Sequence, residues 1–137
     1  MNEDKEDKST VERKLDLRKQ TGQIGEDAAC AYLEEAGYRI IERNWRCKMG
    51  EIDLIVSRDD SPELLIFVEV RTRRAGGRFG TAAESVDRRK QQKVTTTVQY
   101  YLRMNNLSGN SVRFDVIAIQ LERGDIIDEL KHIEEAF

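Results

Sequence analysis

The sequence predicts an α/β fold, α+β-like in its segregation, with a mixed sheet flanked by helices. Three observations predict it. Apolar residues recur at helical steps between Gln20 and Ala36, three apolar, β-branched runs follow between residues 38 and 72, and a second helical stretch precedes a fourth such run. In the first helix Ile24, Ala28, Ala31 and Tyr32 form the apolar stripe, and Gly37 supplies the stop. Tyr38 to Trp45, Glu51 to Ser57 and Leu64 to Thr72 read as strands, at least two of them paired antiparallel. Asp59-Asp60-Ser61-Pro62 is the turn between the last two. Ser85 to Met104 lacks Gly and Pro, begins with a capping residue and carries Val94, Val98, Tyr101 and Leu102 at helical steps, so it is the second helix despite three consecutive threonines. Val112 to Leu121 is the fourth strand, and Ile126 to Ile133 a short final element.

With 39% hydrophobic residues, the 137-residue chain has enough apolar material for one modest core. Residues 1–18 are expected to be a disordered charged tail, because they hold little that could offset the entropy of ordering, and 19–137 a single domain. No apolar run reaches the ~18 residues of a membrane span, and Met1 to Asp7 lacks the apolar stretch of a signal peptide. A cytoplasmic protein with no membrane partner is expected. Cys30 and Cys47 lack zinc-knuckle spacing and read as reduced thiols, Cys30 packed in a helix.

The net charge of −3 argues against a polyanionic partner, but it conceals segregation along the chain. Residues 71 to 103 carry nine basic side chains against two acidic ones, whereas 121 to 137 carry six acidic against two basic. The basic third fits nucleic acid through Arg73, Arg74, Arg78, Lys90, Gln91 and Lys93, although a charge run is also the ordinary solvated face. The loop Arg74 to Gly80, rich in glycine and carrying Phe79, is suited to approach a phosphate backbone.

Just ahead of that stretch, Gly50-Glu51-Ile52-Asp53-Leu54-Ile55 and Phe67-Val68-Glu69-Val70-Arg71 put acids where apolar strand residues would stand. Alternation sets Glu51 with Asp53, and Glu69 with Arg71, leaving Ile52, Leu54, Val68 and Val70 for the opposite faces. A carboxylate in such surroundings needs a cation, a donor or water. Asp53 and Glu69 are therefore candidate ligands for Mg2+ or Mn2+, with the Val70 carbonyl as a third oxygen, and such an ion would serve phosphodiester cleavage. The ordinary alternative is internal ion pairing, Asp53 with Arg71 and Glu69 with Arg43 or Arg46. His132 reads as a surface or packing residue, and Trp45 as core.

Taken in order, Gly25-Glu26-Asp27-Ala28-Ala29, Tyr32-Leu33, Gly37-Tyr38, Arg43-Asn44-Trp45-Arg46, the two acidic strands, Lys90, Lys93, Arg113-Phe114-Asp115 and Ala136-Phe137 resemble the YraN-type proteins over residues 20–137. That family is similar to the PD-(D/E)XK, restriction-endonuclease-like nucleases and is compared with archaeal Holliday junction resolvases. The resemblance implies a restriction-endonuclease-like core. It implies Asp53 and Glu69 as metal ligands, Glu26 as a supporting carboxylate, and Arg71 where such nucleases generally have lysine. Arginine stays charged at neutral pH, so Arg71 can clamp a phosphate but cannot be a general base; Lys48, Lys90 or Lys93 could supply the missing ammonium from elsewhere.

The expected function is thus metal-dependent cleavage of DNA, branched or structured. Its alternatives are a non-catalytic nucleic-acid-binding module and a protein-interaction domain. Two-fold symmetric DNA would favour a homodimer, although no heptad or apolar seam specifies one.

Overall fold

A computed structural model describes residues 3–74 and 88–137, with side chains from residue 9 onward. The order is α1 (Glu3–Glu35), β1 (Tyr38–Cys47), β2 (Gly50–Arg58), β3 (Ser61–Arg74), α2 (Arg88–Met104), β4 (Ser111–Glu122) and β5 (Ile126–Ile133). The strands lie in one sheet in chain order. β1–β2, β2–β3 and β4–β5 are antiparallel, while β3 and β4 run parallel because the connection through α2 returns the chain to its starting edge. Among the described residues the sheet is mixed, with one helix on each face, an arrangement compatible with a restriction-endonuclease-like core.

Alternation along the strands builds two cores. Leu54, Val56, Ile66, Val68, Ile117 and Ile119 meet Ala29, Cys30 and Leu33 of α1. Ile55, Leu65 and Phe67 meet Val98, Tyr101 and Leu102 of α2. Cys30 is packed in its helix as expected, but Ala31 is exposed, the buried stripe running one residue out of phase with it. Gly25 lets α1 lie close on β3: a Cβ there would sit 1.7 Å from Thr72 Oγ1. The three threonines of α2 are compatible with helix because Thr96 and Thr97 donate their hydroxyls to the carbonyls of Gln92 and Lys93.

Two expectations need correction. Residues 3–18, expected as a tail, are helical. They contain neither Gly nor Pro, and acid and base alternate along them, so local propensity suffices although residues 11–20 bury no side chain. Ile52, expected opposite Asp53's face with Leu54, packs instead on the α2 side. Asn44, at φ 50°, lies between the paired residues Arg43↔Leu54 and Trp45↔Ile52, so β1 kinks beside Asp53 and the alternation slips there. No helix among the described residues is long and apolar enough to cross a membrane.

Candidate metal centre and nucleic-acid interface

The β2–β3 ladder pairs Ile55 with Phe67 and Leu54 with Val68. Just beyond these pairs, the Val70 amide donates instead to Asp53 Oδ2, at 2.8 Å. A side chain thus takes a backbone donor just past the last paired residues, and this fixes the carboxylate's orientation. Asp53 follows Ile55's side of the sheet and Glu69 follows Phe67's, so both face α2.

They line one cleft of about 390 Å³, together with Gly50, Lys90, Lys93 and Thr97. Gly50 keeps it open to α2, since a Cβ there would stand 2.8 Å from Thr97 Oγ1. Burial raises the Asp53 carboxyl to about 6; the Val70 amide opposes this, and the neighbouring charge of Glu69 adds to it. Glu69 is ion-paired with Lys90 Nζ from α2 and lies 3.6 Å from an Arg71 guanidinium nitrogen. Its Oε2 is buried and accepts no hydrogen bond among the described residues.

Two carboxylates, one with an unfilled buried oxygen, are a hard-oxygen donor set suited to Mg2+ or Mn2+. No third Asp, Glu, His or Cys joins them among the described residues, so backbone oxygen or water would complete any coordination. Glu51 lies on the rim of the cleft, paired at 3.1 Å with Arg46.

Internal ion pairing does occur at Glu69, with Lys90 and Arg71, rather than with the arginines of β1. Arg43 is taken by Glu26 and Asp27, at 3.0 and 2.6 Å, and Arg46 by Glu51, while the Asp53 bond just described is to an amide. Glu26 is buried and also accepts from Asn44 Nδ2 at 2.9 Å. It does not line the cleft. It holds the kink of β1 against α1, and its charge contributes to the raised acidity value of Asp53. Its support of the site is therefore indirect.

A second, more open cleft adjoins the first and is lined by Glu69, Arg71, Thr72, Arg73 and Lys90. Glu69 and Lys90 are common to both. Arg73 and Lys93 are exposed, as phosphate contact requires, and Gln91 is half-buried on α2, lining neither cleft. Arg74 departs from expectation: it donates to Thr21 Oγ1 and pairs with Asp125, both at 2.6 Å, tying α1 to the β4–β5 turn. It is a structural clasp. Arg78, Phe79 and the capping Ser85 lie outside the described residues.

Sequence reasoning missed a polar cluster on the α1 face. Asp115 is buried, accepts from both nitrogens of the Arg113 fork at 2.9 Å, and lies 2.8 Å from His132 Nε2. His132 Nδ1 in turn lies 3.0 Å from the Tyr32 hydroxyl. The ring thus bridges Asp115 and Tyr32 through its two nitrogens. Burial pushes the Asp115 carboxyl up, but the bonds from His132 and Arg113 outweigh it and hold the group below its ordinary range. Residues a hundred positions apart give no local signal of such a meeting. The cleft's aromatic lining, Phe114 and Phe137, was likewise legible only as motif residues.

The model of the uncharacterised protein family UPF0102 matches residues 25–119. A UPF0102 protein of Moorella thermoacetica is 45% identical over 120 residues, covering 88% of this chain and 97% of its own. One of Pelotomaculum thermopropionicum is 43% identical over 122 residues, covering 89% and 98%. One of Rhodococcus opacus is 44% identical over 116 residues, covering 85% and 94%.

Proposed function

The chain belongs to the uncharacterised protein family UPF0102, the YraN-type family its motifs resemble, and we propose that it is a metal-dependent phosphodiesterase acting on branched or otherwise structured DNA. One observation carries this reading. Two half-buried carboxylates on adjacent strands, Asp53 and Glu69, share a cleft whose other groups include two lysines.

Asp53 and Glu69 would hold magnesium or manganese. When bound, such an ion supplies acidification of a water and neutralisation of charge at a phosphate. Asp53 must be ionised to act as a ligand, and with its acidity near 6 it is mostly so at neutral pH. Val70's amide keeps one of its oxygens oriented while leaving the other for the ion.

Lys90 brings to Glu69 the ammonium that Arg71 cannot supply from the strand, since only its place in space matters. Arg71 remains a fixed positive charge in the adjoining cleft, suited to a phosphate oxygen. Arg73 and Lys93 extend the positive surface to either side.

The test is cleavage of labelled four-way, flapped, single-stranded and duplex DNA with magnesium or manganese, set against the Glu69→Gln protein. Cutting that needs the metal and is lost in the variant is the expected result. Folded wild-type protein that cuts none of these substrates refutes the enzymatic reading. Arg71 in place of lysine favours a second reading, binding without turnover. It would then show as salt-dependent affinity, log Kd rising with log salt, and no product.

A further inference from the structure

Hydrolysis at Asp53 and Glu69 gives no use for the aromatic part of the cleft's lining. Phe67, buried in the α2-side core, is followed outward by Phe114 at 6.2 Å between ring centroids, and Phe114 by Phe137 at 4.9 Å with the planes only 22° apart. Phe114 and Phe137 are half-buried, so the row leaves the core and ends in the cleft that holds the two acids. On the other side of Glu69 and Lys90 lies the basic cleft of Arg71 and Arg73.

The juxtaposition has an order to it: cationic groups, then carboxylates, then flat apolar rings. A nucleic-acid strand repeats the same chemistry, with anionic phosphates on one side of each sugar and a flat base on the other. In a duplex the faces of the bases are covered by their neighbours and cannot reach such rings. Only an unpaired base presents a free π-face.

We propose that the Phe114–Phe137 pair is a stacking platform for one unpaired nucleobase of a DNA strand whose phosphates run along Arg71 and Arg73. The site then selects DNA with an unpaired nucleotide next to the bond cut. This rests on the nuclease reading of Asp53 and Glu69 and specifies its substrate. Selection comes from stacking, and so tolerates any base, while the cationic cleft binds paired and unpaired DNA alike.

Binding, not cleavage, tests it. Fluorescence anisotropy in calcium, which takes the same oxygen ligands, compares a fully paired duplex with the same duplex carrying one bulged nucleotide. Stacking on an aromatic side chain predicts that the bulged duplex binds about 5- to 140-fold more tightly. In Phe137→Leu, which keeps apolar volume but loses the flat ring, that preference falls towards unity. Phe114→Leu, checked for retained fold by circular dichroism, is expected to behave the same way. Equal binding of the two duplexes by the wild type, or full preference retained in Phe137→Leu, overturns the platform and leaves the nuclease reading standing. Failure to bind any DNA overturns both.

Discussion

Replacing Asp53 by asparagine should stabilise the metal-free protein while disabling its site. Burial lifts this carboxyl from 3.8 to about 6, so the fold favours the neutral acid, and ionising it at neutral pH costs free energy. At about 1.4 kcal/mol for each tenfold change in acidity, the gap amounts to about 3 kcal/mol as an upper figure. The sign follows from the direction. A carboxyl raised in the folded state weakens stability progressively as pH climbs from its ordinary value towards about 6, and the full deficit holds above that. Asparagine cannot ionise and keeps an oxygen for the Val70 amide. Asp53→Asn should therefore be more stable by up to about 3 kcal/mol near pH 7.5, and by less than about 1 kcal/mol near pH 4. For a domain of this size that is a rise in melting temperature of about 10 °C at the higher pH. Thermal melts at the two pH values measure it. Repeating them with manganese adds the second half: an ion that binds only the folded state raises the wild-type melting temperature and leaves that of the variant in place. A variant no more stable than wild type near pH 7.5, or a gain that does not shrink in acid, refutes the reasoning.

Lys90→Met removes the ammonium paired with Glu69 and keeps the stem. Cleavage should fall by about 10²- to 10³-fold, with a stability change under about 1 kcal/mol because the lysine is 43% exposed. An unchanged rate would assign the charge to another group. Gly25→Ala would ordinarily gain about 1 kcal/mol in helix propensity. Here its Cβ meets Thr72, and we expect a net loss of about 1–3 kcal/mol in urea denaturation, a gain in stability being the refuting result. His132→Phe strips Asp115 of one of the bonds that hold its carboxyl down, and should cost about 1–3 kcal/mol. Because a depressed carboxyl stabilises above its ordinary value and loses that contribution as pH falls, the acid unfolding midpoint of His132→Phe should also move upward, as followed by circular dichroism.

The elements were legible in the sequence because their periods are local. Gly37 ends α1 at φ 94°, and the Asp59-Asp60 turn joins β2 to β3, where turn chemistry puts them. Alternation sets Glu69 on the side of Phe67 and Asp53 on that of Ile55, while their meeting in one cleft depends on the β2–β3 register. What was not legible depends on long separations or on a local exception. Nothing near Arg74 in sequence reveals its bonds to Thr21 and Asp125. His132 was read as peripheral because its partners, Asp115 and Tyr32, come from another strand and from α1. Ile52 slipped to the unexpected side because an asparagine in left-handed geometry breaks the alternation of the neighbouring strand. Lys90 was one of three lysines offered for the missing charge, and only the packing of α2 over β3 distinguishes it.

The donor that orients Asp53 is main chain, and that has an evolutionary corollary. Every amino acid but proline brings the same N–H to position 70, so the aim of the acid is indifferent to which side chain stands there. A side chain placed there has to fit against the α1-side core, but the contact with Asp53 does not depend on it. Proline is the one replacement that would silence the contact while leaving every acidic and basic group in the chain untouched.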